Sequence, residues 1–197
     1  MRIIGAEYLK TVVGPNDRKD CILPEICFIG RSNVGKSSLI NKLAMHKIAR
    51  TSSTPGATKA INLYKVRFDH GGSQKSAIFS DFPGFGYSKV ARSTYLSWEQ
   101  AIETYIAENR YIRRLLWVLD VRRSLDTLDA ALLAWINARS LPFSVVLTKS
   151  DKESRQFTLA KKKAVAVQLL TEMVFPFSSK DGSGRKELLT HILREVE

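Results

Sequence analysis

Cysteine is scarce: Cys21 and Cys27 are the only two in 197 residues. They flank an expected strand entry, with no second cysteine or histidine pair at zinc-ligand spacing, so neither a disulfide framework nor a zinc site is expected. Long apolar runs are missing as well. Stretches such as Leu115 to Leu119 and Val145 to Leu147 are broken by charge far short of the roughly 18 residues that a membrane helix needs, so no membrane partner is expected. The start, Met1-Arg2-Ile3-Ile4, lacks the apolar stretch and small-residue cleavage site of a signal peptide, which points to the cytoplasm. Acidic residues are in deficit, with 19 Asp and Glu against 31 Lys and Arg, a formal net charge of +12. That surplus exceeds what solubility needs and suggests a polyanionic partner. Its local clusters, Arg113-Arg114, Arg122-Arg123 and Lys161-Lys162-Lys163, are also ordinary on solvated element ends, so the sign alone does not name the polyanion.

What is present is an alternation. From Glu25 onward, strand-length runs alternate with helix-length segments, the pattern of an α/β three-layer fold with a mainly parallel sheet and helices on both faces. Strands are expected at Glu25 to Ile29, Ile61 to Phe68, Lys75 to Ser80, Leu115 to Asp120, Phe143 to Thr148 and Val174 to Phe177. Helices are expected at Lys36 to Met45, Tyr95 to Asn109, Leu125 to Arg139, Phe157 to Glu172 and Lys186 to Glu197, most with apolar residues three and four apart. Gly71-Gly72 lies in a gap too short for a crossover helix. The second and third strands therefore form a hairpin, which makes one of the six strands antiparallel. Residues 25–197 read as one domain. Residues 1–24 are an extension with a loop at Gly14-Pro15-Asn16-Asp17, and whether it adds a strand is open.

Gly30-Arg31-Ser32-Asn33-Val34-Gly35-Lys36-Ser37 is a complete phosphate-binding loop, placed after a buried strand and before a helix. Its glycines let successive backbone N–H groups turn inward as an anion nest, and the helix beginning near Lys36, whose first turn includes Ser38, adds its positive end. Lys36 is suited to bridge the outer phosphates and Ser37 to place its hydroxyl on Mg2+. Asp81-Phe82-Pro83-Gly84, at the end of the third strand, offers a carboxylate to the same ion. The unobstructed Gly84 amide can meet a γ-phosphate. In Thr54-Pro55-Gly56-Ala57-Thr58, Thr58 is preferred as a third magnesium ligand over Thr51, Ser52, Ser53 and Thr54 because of its spacing to the following strand. Lys36, Thr58 and Gly84 are the expected catalytic set.

At the other end, Thr148-Lys149-Ser150-Asp151 follows the fifth strand, on the carboxyl edge where open parallel sheets bind ligands. A carboxylate at Asp151 can accept from guanine N1–H and N2–H2, whereas adenine offers an acceptor and a C–H there. Phe177-Ser178-Ser179-Lys180 supplies the matching loop, with the N–H of Ser179 or Lys180 for guanine O6. The ligand expected is GTP or GDP with Mg2+.

In this order the motifs resemble those of the translation-factor-related GTPases with a Ras-like G domain. Their closest resemblance is to the EngB/YihA/YsxC family of bacterial ribosome-biogenesis GTP-binding proteins, among the TrmE-Era-EngA-EngB-Septin-like P-loop GTPases. The marks are the run from Gly30 to Asn41, Arg50-Thr51-Ser52 leading into Thr54-Pro55-Gly56, Ile61-Asn62-Leu63, Asp81 to Tyr87, Asp120-Val121-Arg122-Arg123, Thr148 to Lys152 and Phe177-Ser178-Ser179. Phe82 and Phe85 stand where such proteins more often carry Leu and Tyr. The resemblance implies a GTPase that assists assembly of the large ribosomal subunit, which gives the surplus charge a partner in ribosomal RNA. No DNA partner is expected, and the chain is expected to be a monomer. The alternative is a GTP-dependent binding module for another RNA or protein. Phe85 occupies the place where many relatives of Ras carry a water-orienting glutamine, so unassisted turnover is expected to be slow, and Phe85→Gln is a test of that account. Asn33 either holds a potassium ion, as in some related GTPases, or only stabilises the loop. Tyr87, Lys89 and Arg92 either meet a partner in the GTP state or pack the segment against the domain.

Overall fold

The computed structural model describes residues 2–12, 22–50, 60–85 and 102–196. Seven strands form one sheet: β1 (Arg2–Val12), β2 (Glu25–Gly30), β3 (Ile61–His70), β4 (Ser73–Asp81), β5 (Ile112–Asp120), β6 (Phe143–Thr148) and β7 (Val174–Pro176), in the order β1-β3-β4-β2-β5-β6-β7. β2 is parallel to β4 and β5, and the parallel run continues through β6 and β7. β3 is antiparallel to both β4 and β1, so it is the one reversed strand, as the Gly71-Gly72 hairpin requires.

The sheet therefore has seven strands where the sequence led us to expect six, and the extension supplies the extra one. β1 pairs with β3 from Arg2↔Asp69 to Val12↔Ile61, with register shifts between Ile3 and Gly5 and between Tyr8 and Lys10. Each shift flips the side-chain alternation, which erases the period-two signal over Arg2 to Val12.

β2, β5 and β6 are buried on both faces, and their alternate residues feed two cores. Cys27, Ile29, Leu115, Trp117, Leu119, Val145 and Leu147 face one side. There they meet Tyr105 and Ile106 of helix α2 (residues 102–108), Ile136 of α3 (Thr127–Ala138) and Val165 of α4 (Arg155–Gln168). Ile26, Phe28, Leu116, Val118 and Val146 face the other side, against Leu39, Ile40 and Leu43 of α1 (Lys36–Ala44) and Leu188, Leu189 and Ile192 of α5 (Arg185–Val196). The result is the three-layer arrangement expected. Among the described residues no helix is long and apolar enough to cross a membrane.

Helix limits follow their caps. Asp126 accepts from the Leu128 and Asp129 amides while the Asp129 carboxylate accepts from the Asp126 amide, a capping box that starts α3 at Thr127. α4 stops at Gln168, short of Glu172. Leu170 takes a left-handed φ of 52°, and the Thr171 and Leu170 amides close back on Ala166 O and Val167 O. That stop lacks the glycine which usually announces it.

Between β6 and α5, His191 stacks on Phe175 at 4.7 Å and shares a 2.8 Å hydrogen bond through Nε2 with Ser144 Oγ. Burial, together with the charges of Arg114 and Arg194, pushes its imidazole below the usual range against the pull of Glu195. The unfolded chain takes up this proton first, so the stability tied to neutral His191 is full above about pH 6.5 and is lost as the pH falls toward the depressed folded value. Urea titrations at about pH 7.5 and about pH 5.5 should show an acid-side loss that is smaller in His191→Gln. An equal loss in both proteins would remove His191 as its source.

Candidate functional site

The carboxyl ends of β2, β4, β5 and β6, and the turn after β7, meet along one edge at Gly30, Asp81, Asp120, Thr148 and Phe177. The loop from Gly30 to Gly35 leads directly into α1, with Asn33 at φ 62° and Gly35 at φ 100°. These turns bend the loop toward the helix N-terminus. Asparagine is among the few side chains that tolerate such a φ. At Gly30 a Cβ would lie 2.4 Å from Val118 O, so the strand-to-loop exit admits no side chain. Val34 packs into the α1/α5 core and seats the loop.

Lys36 is only 8% exposed, and its Nζ donates to Gly30 O at 3.1 Å and Arg31 O at 3.4 Å. Ser37 Oγ donates to Asp81 Oδ2 at 3.0 Å. Burial lowers the Lys36 ammonium against the pull of Asp81, and it raises the Asp81 carboxyl against the pull of Lys36 and the Ser37 hydroxyl. Asp81 Oδ1 is buried with no hydrogen-bond partner among the described residues. A buried, half-satisfied carboxylate beside a serine hydroxyl is a donor set that fits a hard divalent cation. Among the described residues no group of three or more His, Cys, Asp or Glu gathers as a metal site, so a cation at this position would draw its remaining ligands from phosphate, water or hydroxyl oxygen.

The segment after β4 lies against the loop. Phe82 N–H donates to Phe28 O at 3.0 Å, and the Phe82 ring meets Tyr105 edge-on at 5.6 Å. A parallel bridge joins Arg31 to Phe85, with Ser32 N–H donating to Phe85 O at 3.4 Å. A Cβ on Gly84 would fall 2.8 Å from both Ser32 N and Ser32 Cα, so only glycine allows this approach. The side chain of Phe85 is buried in the core shared with α2, α3 and α4. Arg31 reaches across to Asp126, the N-cap of α3, which also receives Arg123.

The base end is tied to the phosphate end through β6. Thr148 Oγ1 approaches Val34 O at 2.6 Å and Leu119 O at 2.9 Å. Lys149, at φ 59°, sends Nζ to Asn33 O at 2.9 Å and Asp120 Oδ2 at 3.0 Å. Burial pushes Asp120 up, but hydrogen bonds from Arg122 and Lys149 outweigh it and hold its carboxyl well below the usual range. Asp151 lies in a single 3-10 turn, Ser150–Lys152, and accepts from Ser178 Oγ at 2.8 Å. Ser178 Oγ in turn accepts from the Lys180 and Asp181 amides at 3.2 and 3.3 Å. Of the two amides offered for guanine O6, that of Lys180 is therefore engaged, and that of Ser179 makes no hydrogen bond among the described residues.

The structure thus brings together the loop from Gly30 to Ser38, Asp81 to Gly84, Thr148 to Asp151 and Phe177 to Lys180. Thr54, Pro55, Gly56, Ala57 and Thr58 lie outside the described residues, as do Tyr87, Lys89 and Arg92. Sequence reasoning missed the part played by Asp120, which anchors Lys149. Its position at the carboxyl end of a parallel strand was the available signal.

A family model described as 50S ribosome-binding GTPase matches residues 25–149. Similar chains include the probable GTP-binding protein EngB of Desulfatibacillum aliphaticivorans, 40% identical over 98% of this chain and 92% of that one. The EngB of Syntrophus aciditrophicus is 39% identical over 98% and 95%. Among solved structures, a variant of Era from Aquifex aeolicus bound to GDP and aluminium fluoride superposes with a TM-score of 0.76 at 22% identity, over 89% of this chain and 57% of that one. This likeness places the fold among P-loop GTPases.

Proposed function

Because the chain belongs to the EngB family of GTP-binding proteins and is a GTPase, we propose that it is a nucleotide-controlled assembly factor for the large ribosomal subunit. The observation that carries this reading is the packing of Gly84 and Phe85 against Ser32: a γ-phosphate seated in the loop acts directly on the segment that leaves the sheet there. The family model's description and the charge of +12 support ribosomal RNA as the polyanion. Residues 25–197 form the GTP-binding domain, to which residues 1–24 add an edge strand. The protein acts in the cytoplasm as a monomer, without a DNA or membrane partner.

In this reading Lys36 bridges the outer phosphates, the amides from Arg31 to Ser38 cradle them, and Gly84 N–H meets the γ-phosphate. Ser37 and Asp81, joined by Thr58 from the segment Thr54-Pro55-Gly56-Ala57-Thr58, hold Mg2+. The ion supplies neutralisation of the charge that develops on the phosphoryl oxygens. Asp151 reads the guanine edge, Ser179 N–H takes O6, and Lys149 frames the base from its anchorage on Asp120 and Asn33 O. No glutamine stands at position 85 to orient water, so turnover without a partner is far below a typical rate of about 10 per second.

Co-sedimentation with isolated ribosomal subunits tests the proposal. Binding to the large subunit with a non-hydrolysable GTP analogue, lost with GDP, is the expected result. Binding that ignores the nucleotide, or salt-sensitive binding to naked RNA without preference for a subunit, would instead favour a binding module outside the ribosome.

At Asn33 the left-handed φ and the carbonyl bond to Lys149 support a role in holding the loop. Potassium bound there would add a second role. Hydrolysis measured in potassium and in sodium at equal ionic strength separates the two: a rate several-fold higher in potassium assigns the ion, and equal rates leave Asn33 with the loop alone.

A further inference from the structure

Arg185 opens α5, where a cation opposes the positive end of its own helix, yet its side chain turns to the far end of α1. Nε donates to Lys42 O at 2.9 Å and Nη2 to Leu43 O at 2.7 Å. Both carbonyls belong to the last turn of α1, where no further intrahelical amide follows to take them. Lys42 answers in the other direction. Its Nζ donates to Lys180 O at 3.4 Å, and its stem lies so close to Gly182 that a Cβ there would come within 3.1 Å of Lys42 Cε. Between these contacts runs the loop from Ser178 to Gly184, which closes on itself. The Gly182 amide donates to Ser178 O at 3.0 Å, the Ser178 amide to Ser183 O at 3.1 Å and the Ser183 amide to Asp181 Oδ1 at 2.8 Å. A loop closed in this way holds its own shape, and its aim is set where it joins the rest of the protein. Its entry is fixed beside β6, with Phe177 N–H donating to Leu147 O at 2.8 Å and Ser150 N–H to Phe177 O at 3.2 Å. Its exit is Gly184, at φ 78°, followed at once by Arg185.

We infer that Arg185 is a positioning residue for base recognition: by fastening the exit of this loop to the end of α1, it fixes where Ser178 and Ser179 stand relative to Asp151. Ser178 Oγ donates to Asp151 Oδ1 at 2.8 Å, so a swing of the loop turns the carboxylate that reads the guanine edge. The Ser179 amide offered to O6 sits on the same loop. α1 thereby serves both ends of the ligand. Its first residues, Lys36 and Ser37, stand at the phosphate end, and its last carbonyls hold the loop for the base. The phosphate contacts lie at the other end of the helix from Arg185, so loss of its hydrogen bonds weakens recognition of the base and spares the phosphates. This inference rests on the roles given above to Asp151 and Ser179.

The test is displacement of a fluorescent GDP from the purified protein by unlabelled GDP and by ADP, both with magnesium. ADP shares the phosphate contacts and lacks the guanine edge. Arg185→Met keeps an unbranched stem and loses every donor, and it is expected to weaken GDP about tenfold while ADP changes by no more than about twofold. Arg185→Lys keeps the charge without the fork that spans two carbonyls, so its GDP-specific loss is expected to be smaller, about threefold. Combined with Ser178→Ala, Arg185→Met should add less than its own separate loss, because both act on the aim of Asp151. Equal losses for the two nucleotides, no effect, or full additivity with Ser178→Ala would overturn the proposal. If the methionine variant does not fold, the lysine variant decides by the same criterion. An unsubstituted protein that binds GDP and ADP alike would overturn the guanine reading at Asp151 itself, an outcome distinct from failure of Arg185.

Discussion

Asp151→Asn is expected to weaken GTP by roughly 100- to 10,000-fold and to improve binding of xanthosine triphosphate. Two charge-assisted hydrogen bonds are lost to guanine, each worth about 1.5 to 3 kcal/mol. An amide in the same place can accept from N1–H and donate to the O2 that replaces the amino group in xanthine. The structure makes the size of this effect more than a matter of residue type. Ser178 is buried, its Oγ is held by the amides of Lys180 and Asp181, and it donates to Asp151 Oδ1 at 2.8 Å, so the carboxylate is aimed before the base arrives. Titration calorimetry with both nucleotides checks it. Unchanged GTP affinity would remove Asp151 from base recognition.

Phe85→Gln is expected to destabilise the fold by about 3 kcal/mol and to leave hydrolysis no faster. The sequence posed this substitution as an open test of a missing glutamine. The structure answers part of it: Phe85 is 8% exposed and lies in the core that also holds Phe82, Ile61 and Val121, so a side chain at this position runs into the protein interior. Glutamine there buries an amide among apolar groups and reaches no water at the phosphate end. Denaturant midpoints and single-turnover hydrolysis measure the two halves separately. A tenfold acceleration with unchanged stability would show that the segment turns its residue 85 outward when nucleotide binds.

The phosphate loop, Asp81 and Asp151 were legible because each lies at the end of a parallel strand, and the topology of such a sheet carries those ends to one edge. The same reasoning could not see β1, whose two register shifts break the alternation by which strands are read. It overran α4, where Leu170 takes the conformation that a glycine would have advertised. Asp120 escaped for another reason. Its importance lies in what it touches: Lys149, just beyond the end of a different strand, a contact that no local periodicity encodes.

β1 has a consequence for how copies of this protein meet. As an outermost strand of eleven residues, it could offer a long ribbon of backbone donors and acceptors to any other extended chain. The irregularities at Ile3 to Gly5 and Tyr8 to Lys10 kink that ribbon twice, while Arg2, Glu7 and Lys10 put charge along it. A kinked, charged border is a poor template for edge-to-edge pairing. The features that hide β1 from a reader of the sequence therefore also guard the exposed margin of the sheet against aggregation.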